Sequence, residues 1–122
     1  MSTNFPNCVL QFIENYNIFL NSNQRNTYVC DDDNIIRVYM RKGKHLINGC
    51  YRDCLDIANI SVDEDYRSQG IGAQIIQYLH QHNPFEYTYV ESVLNDRLYQ
   101  HLITQQWVLI EKSEPPCFYK MK

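Results

Sequence analysis

The sequence predicts an α/β domain in which a sheet is flanked by helices. Two observations support this fold class: apolar residues recur at strand spacing in some segments and at helix spacing in others, and these segments alternate along the chain. With 122 residues and 44% hydrophobic side chains, the chain is expected to form one domain over residues 1–122 with its own core. The longest apolar runs are only a few residues, so no membrane-spanning helix and no membrane partner are expected.

The secondary-structure elements follow from local patterns along the chain. Apolar residues at helical spacing behind Pro6 predict a first helix, and a polar linker ends it. Residues 41–53 are polar and are interpreted as a loop that leaves room for a short strand at 46–47. The predicted helices cover about 7–20, 71–82 and 94–105, and the predicted strands cover 28–30, 35–40, 55–62, 87–93, 107–110 and 118–121.

The third predicted strand, which covers 55–62 and precedes the second helix, changes the face that its apolar residues occupy. Leu55 and Ile57 share one face of a regular strand, whereas Ile60 and Val62 fall on the other. One extra residue between the two pairs would restore a single apolar face. The pattern therefore predicts a β-bulge near 58–59, a feature often found beside active sites.

The five cysteines bear on the cellular environment. Their odd number, in a chain without a secretory signal, indicates a reducing cytoplasm and free thiols. The alternative is a metal site built from His45, Cys50 and Cys54, with Cys117 as a fourth ligand. Its Cys-x3-Cys spacing has no matching second pair, which argues against a zinc finger.

Two glycines, Gly70 and Gly72, lie between the bulged strand and the second helix. The first N–H groups of a helix have no partner within it and favour an anion, and glycine lets a phosphate approach the backbone. Arg67 can add a charge-assisted contact. These features predict a ligand with a pyrophosphate. Neither of two common nucleotide-binding motifs is present: Ile75 occupies the position where the Rossmann fingerprint needs a small residue, and the lysine of the Walker A motif is absent. For the glycine pair alone, an ordinary strand-to-helix turn remains the alternative.

The pattern Val62-x4-Arg67-x2-Gly70-x-Gly72, followed by an aliphatic helix, resembles the acyl-CoA-binding motif of the GNAT N-acetyltransferase superfamily. The likeness is close over about 54–110, where Asn95 also precedes Tyr99 by four residues. It implies a compact GNAT-like fold with a mixed, mostly antiparallel sheet flanked by helices. Few residues precede the first helix, so we expect the domain to be shortened at its N-terminus, on the acceptor side.

The resemblance also implies roles for the matching residues. The backbone of the strand end, at Ile60, Ser61 and Val62, would pair with the pantetheine arm like an added strand. Asn95 would contact the cofactor arm, and Tyr99 would protonate the departing thiolate; an N-cap and a core tyrosine are the structural alternatives. The N–H groups of the loop and helix start would hold the pyrophosphate, and these residues are Arg67, Ser68, Gln69, Gly70, Ile71, Gly72 and Ala73.

Acyl transfer to an amine needs a base that removes a proton from the amine. Asp56 is the first candidate, because it matches the glutamate position used as base in the histone-acetylating branch of the superfamily. Glu91, on the neighbouring predicted strand, is the second candidate. A backbone N–H near Val62 would stabilise the developing oxyanion.

The resemblance implies an acetyl-CoA-dependent N-acetyltransferase (EC 2.3.1 type) that moves an acetyl group to a primary amine of a small molecule, peptide or protein lysine. Acetyl-CoA is the expected acyl donor, no metal is expected, and a homodimer is compatible with the family. The net charge of −3 suits a cationic amine substrate and argues against nucleic acid as a partner. Two alternatives stay open: a catalytically silent GNAT-like domain that binds CoA or a protein, and a small metal- or nucleic-acid-binding α/β domain.

Overall fold

The computed structural model describes residues 7–66, 70–110 and 113–122. In these residues helices and strands alternate, which confirms the predicted α/β class. The helices are α1 (Asn7–Leu20), α2 (Ile71–Gln81) and α3 (Asp96–Thr104), with a 3-10 turn at Glu64–Tyr66. The strands are β1 (Asn26–Cys30), β2 (Ile36–Ile47), β3 (Cys50–Val62), β4 (Tyr87–Val90), β5 (Val108–Leu109) and β6 (Phe118–Met121).

The six strands form one sheet in the order β1-β2-β3-β4-β6-β5. Every neighbouring pair is antiparallel except β3 and β4, which run parallel because α2 connects them. The mixed, mostly antiparallel sheet is therefore confirmed. Within the described residues the first element is α1 rather than a strand.

The buried side chains of all three helices belong to one apolar cluster on one face of the sheet. Phe12 and Tyr16 of α1, Ile75 of α2 and Leu102 of α3 are fully buried in it. The strands contribute the side chains that point to the same face, and these are Val29, Ile36, Val38, Met40, Leu55, Ile57, Val90 and Phe118. The helices thus cover a single face of the sheet. In the part of the chain that the structure describes, none of the helices is long and apolar enough to cross a membrane.

The opposite face of the sheet, named the open face below, carries no helix among the described residues. Its side chains alternate with those of the apolar cluster along each strand. Its polar, charged and aromatic residues, by which we define it, are Asn26, Tyr28, Arg37, Tyr39, Arg41, His45, Arg52, Asp56, Asn59, Ser61, Tyr87, Tyr89 and Tyr119, together with Glu91 just after β4.

The interpretation of residues 41–53 as a loop is wrong. They complete a long β2–β3 hairpin, which turns at Asn48 (φ 51°) and Gly49 (φ 83°). An Asn-Gly pair accepts the positive φ values that a tight hairpin turn requires. An ion pair of 2.7 Å between Lys44 Nζ and Asp53 Oδ1 links the two strands across the polar segment.

The predicted bulge is present in β3. Tyr39 of β2 lies opposite Asn59, and the next residue, Met40, lies opposite Ile57, so that Ala58 is the extra residue. The bulge returns Ile60 and Val62 to the apolar side, where both pack against the core. It also changes the course of β3 at the point where the candidate site begins.

Candidate active site

The parallel strands β3 and β4 separate at the centre of the sheet. They pair from Cys54 and Tyr87 to Ile57 and Val90, and the Glu91 N–H then donates to the Ile57 carbonyl at 2.9 Å. Beyond this point β3 continues along β2. The chain after β4 turns toward β6 instead, and the Val93 N–H donates to the Pro116 carbonyl at 2.8 Å. A gap therefore opens between the two strands.

A cleft of about 290 Å³ lies on the helix side of this gap. Its walls are the end of β3, the start of α2 and the first turns of α3. Eight of the predicted cofactor-binding residues line it together: Ile60, Ser61, Val62, Gly70, Ile71, Gly72, Ala73 and Asn95. The other four lining residues are not among the predicted site residues, and they are Tyr66, Arg97, Leu98 and His101.

The N-terminus of α2 opens into the cleft. Gly70 is its N-cap residue in a left-handed conformation (φ 73°) and provides no side-chain cap. The first helical hydrogen bond at this end runs from the Gln74 N–H to the Gly70 carbonyl, so the N–H groups of the preceding turn have no partner within the helix. A Cβ added at Gly72 would meet no atom within 4 Å. The cleft is therefore able to take an anion against the backbone.

Three residues of the predicted pyrophosphate loop, Arg67, Ser68 and Gln69, lie outside the described residues. Their assignment as cofactor-binding residues stays a prediction.

Helix α3 places the predicted pair Asn95 and Tyr99 differently. The Asn95 side chain caps the helix by accepting a hydrogen bond from the Leu98 N–H at 2.9 Å, and Asn95 also lines the cleft. The Tyr99 ring packs edge to face against Phe118, with ring centroids 5.2 Å apart, and Tyr99 is not among the residues that line the cleft. The structure therefore brings Asn95 to the cleft and Tyr99 to the core, and an acid role for Tyr99 stays a prediction.

The two predicted base candidates meet on the open face where β3 and β4 separate. Asp56 is 3% exposed, and its Oδ2 atom lies 3.0 Å from His45 Nε2 and 3.6 Å from Arg41 Nε. Arg41 Nη2 also lies 3.3 Å from Glu91 Oε2. We name Arg41, His45, Asp56 and Glu91 the carboxylate cluster.

The charge balance of the cluster favours proton exchange near neutral pH. Burial, together with the neighbouring Asp56 carboxyl, raises the pKa of Glu91 to about 7, although Arg41 and His45 act in the opposite direction. The buried Asp56 Oδ1 atom has no hydrogen-bond partner among the described residues. It is therefore placed to accept a hydrogen bond from a protonated Glu91 or from a substrate.

Sequence reasoning did not predict Arg41, and it assigned His45 to a metal site with Cys50 and Cys54 rather than to Asp56, because both residues belong to the unpredicted part of β2. The Asn48-Gly49 pair was the signal that could have found them, since it predicts the hairpin that aligns β2 with β3. The His45 ring stacks on Tyr89 of β4, with centroids 3.7 Å apart. This contact joins the hairpin to the centre of the sheet.

A metal ion is not required to neutralise the cluster. The ligand atoms of His45, Asp56 and Glu91 lie within 4.8 Å of one another, but Arg41 contacts both carboxylates and supplies positive charge there. The alternative set with Cys50 and Cys54 is not assembled, because the two cysteines stand four residues apart along β3, or about 13 Å.

Comparison with known proteins identifies the family. The sequence model described as "Acetyltransferase (GNAT) domain" matches residues 23–112. A search of curated proteins finds no match.

Among solved structures, AtaT complexed with acetyl-methionyl-tRNAfMet is 12% identical, with a TM-score of 0.58 over 86% of this chain and 81% of that chain. A mutant of KacT is 12% identical, with a TM-score of 0.56 over 88% and 82%.

An AtaT mutant bound to the C-terminus of the antitoxin AtaR and acetyl-CoA is 10% identical, with a TM-score of 0.57 over 71% of this chain. In that comparison and in the one with the KacTA–DNA complex, the match spans 58% of the other chain. At these identities the likeness shows the fold alone. Because the family model covers most of the sequence, including both walls of the strand gap, this chain belongs to the GNAT acetyltransferase domain family.

Proposed function

We propose that this protein is an acetyl-CoA-dependent N-acetyltransferase that transfers the acetyl group directly to a primary amine. One observation carries the proposal. An anion-accepting cleft on the helix side and a buried carboxylate cluster on the open face meet at the same gap between β3 and β4. A thioester donor and an amine acceptor can therefore approach each other through the sheet from opposite faces.

The residues along the cleft match the successive parts of CoA, the pantetheine arm and then the diphosphate. The pantetheine arm would lie along Ile60–Val62, which have β2 on one side and the cleft on the other. The diphosphate would lie at the N-terminus of α2, where backbone N–H groups favour negative charge. Arg97 and His101 stand one turn apart on α3 and line the same cleft, so Arg97 would add positive charge toward the phosphates and the His101 ring would offer a hydrogen bond.

The carboxylate cluster would supply the base. The amine must be neutral when it attacks the thioester carbonyl, and Glu91 takes up protons near pH 7 because of its burial. Asp56, held by Arg41 and His45, would fix the position of Glu91 and of the incoming amine. The thiolate that leaves needs a proton; Tyr99 is the proposed donor, with His101 in the cleft as the alternative.

A second candidate is a catalytically silent GNAT-like domain that binds CoA or a protein partner. The position of Tyr99 favours this candidate, because its ring lies against Phe118 rather than on the cleft wall. In that case the cleft would bind CoA without turnover.

Thiol release from acetyl-CoA in the presence of a panel of amines distinguishes the two candidates. We expect release that depends on both acetyl-CoA and an amine, and we expect Glu91→Gln to abolish it while acetyl-CoA still binds. Glu86→Gln is the matched control, because Glu86 is an exposed carboxylate that pairs with Arg52 at 3.6 Å, away from the cluster. Binding of acetyl-CoA without amine-dependent release would favour the silent domain.

A further inference from the structure

Three tyrosines of the open face each carry a planar basic side chain on the ring. The Arg37 guanidinium lies 4.7 Å from the ring centroid of Tyr28, and the Arg41 guanidinium lies 5.6 Å from that of Tyr39. The third pair is the stack of His45 on Tyr89, with an interplanar angle of 1°. The outer layer of this face is thus a row of flat, basic groups supported by aromatic rings.

The row runs across the sheet toward the carboxylate cluster. Tyr28 lies on the edge strand β1, Tyr39 is its cross-strand partner on β2, and Tyr89 lies on β4. Arg37 and Tyr28 are exposed, and the Arg41 side chain is 46% exposed although it contacts both carboxylates. A ligand that covers the row therefore ends at the proposed base.

Charge is unevenly distributed between the two faces. Among the defining residues of the open face, Asp56 and Glu91 are the only acidic ones, and both contact Arg41; Arg52 pairs with Glu86, and Arg37 lies at the end of the row away from these carboxylates. The net charge of −3, which argues against nucleic acid for the chain as a whole, therefore arises outside this row. The local charge is what a bound ligand experiences.

We propose that the open face binds single-stranded RNA, and that this RNA carries the acceptor amine to the carboxylate cluster. Unpaired bases stack on aromatic rings and on guanidinium planes, and arginines pair with the phosphates between them. A duplex offers no free base faces, and an ordinary peptide carries few planar or anionic groups. Three exposed polar residues beside the row, Asn26, Asn59 and Ser61, provide hydrogen bonds for 2′-hydroxyl groups.

The binding step stands independently of the proposed function, whereas the delivery of an amine rests on it. Binding is therefore measured alone, by fluorescence anisotropy of a labelled single-stranded RNA of about eight nucleotides, without acetyl-CoA. The wild-type protein is expected to bind it at low salt. With Arg37 contacting a phosphate, and with Arg41 already paired with the two carboxylates, the slope of log affinity against log salt is expected to be about −0.7.

Three variants test the planar row away from the carboxylates. Arg37→Gln is expected to weaken binding about tenfold, because it removes both a phosphate contact and a stacking plane. Arg37→Lys keeps the charge but loses the plane, and we expect it to restore only part of the affinity. Lys44→Gln is the matched control: it removes one exposed positive charge that is paired with Asp53 outside the open face, and it is expected to leave binding unchanged.

Three outcomes would overturn the inference. They are the absence of RNA binding at low salt, equal losses in Arg37→Gln and Lys44→Gln, and binding of single-stranded DNA or duplex RNA as tight as that of single-stranded RNA. Amine-dependent thiol release by the same wild-type protein, measured in parallel, separates this failure from a failure of the proposed function. Arg37→Gln is expected to keep full transfer to small amines, since Arg37 does not contact the carboxylate cluster.

Discussion

Replacement of Gly72 by alanine is expected to stabilise the protein and at the same time to weaken its affinity for acetyl-CoA. Gly72 is the second residue of α2, and it lines the cleft. A Cβ at this position meets no atom within 4 Å, so the folded chain accepts it without displacement. The same Cβ occupies the surface where the proposed diphosphate approaches the backbone.

The two effects have different sizes. Alanine is a better helix former than glycine by up to about 1 kcal/mol, and such a gain raises the melting temperature by roughly 3–6 °C in a domain of this size. Loss of one hydrogen bond between a backbone N–H and a charged phosphate costs about 1.5–3 kcal/mol, which corresponds to roughly 10- to 100-fold in Kd. Thermal unfolding followed by circular dichroism and calorimetric titration with acetyl-CoA measure the two quantities on the same sample.

Gly70→Ala is the control for this experiment. Gly70 needs its positive φ of 73°, which alanine adopts only with strain, so this variant is expected to lose stability rather than gain it. A Gly72→Ala protein that is more stable but binds acetyl-CoA as tightly as the wild type would refute the placement of the diphosphate at α2.

Three further predictions concern individual side chains. Because burial raises the pKa of Glu91 to about 7, the rate of transfer should rise with pH through about 7. At pH 8 the wild-type Glu91 is charged and buried, so Glu91→Gln should lose activity yet unfold at a higher urea concentration than the wild type; equal stability at pH 8 would contradict this. Tyr99→Phe keeps the ring contact with Phe118, so a fall in kcat without a change in stability would support an acid role, and an unchanged kcat would leave His101 as the candidate. Burial lowers the pKa of His80, whose Nδ1 atom lies 2.8 Å from Thr88 Oγ1. Below about pH 6.5 the unfolded chain therefore binds more protons than the folded one, and the free energy of unfolding should fall as the pH drops below that value. A His80→Gln variant with the same pH dependence as the wild type would exclude His80 as its cause.

Long amphipathic patterns predicted their elements well. Helix α1 ends where the polar linker indicates, at Leu20, and the described residues before it are helical from Asn7 onward. The bulge at Ala58 was also predictable, because a change of face within one strand has few other causes. Both features depend on patterns that lie within a single segment.

The β2–β3 hairpin was not predicted although Asn48-Gly49 is a local turn signal, because the segments on either side of the turn are polar and charged. The charged residues Lys42 and Lys44 resemble a loop until their partners are known. The Lys42 ammonium donates to the carbonyls of Phe19 and Ser22, and Lys44 pairs with Asp53. Tertiary contacts of this kind override local strand propensity.

In the candidate site, too, the residues that belong to one local pattern were predicted, and those that meet only through contacts between segments were not. The residues on the turn into α2 were predicted, since their spacing reflects the local geometry of a helix N-terminus. The carboxylate cluster was predicted only in part, because Arg41 and His45 reach Asp56 through the unpredicted hairpin. Strand β4 also ends at Val90 rather than at residue 93, because Ser92 turns the chain away with a positive φ of 56°.

Calorimetric titration of acetyl-CoA into the folded protein tests the central claim most directly. We expect saturable binding of one acetyl-CoA per chain, weakened by Gly72→Ala and by Arg97→Gln but not by Lys44→Gln. Absence of binding to protein that retains its circular dichroism spectrum would contradict the assignment of the cleft, and with it the proposed acetyl transfer.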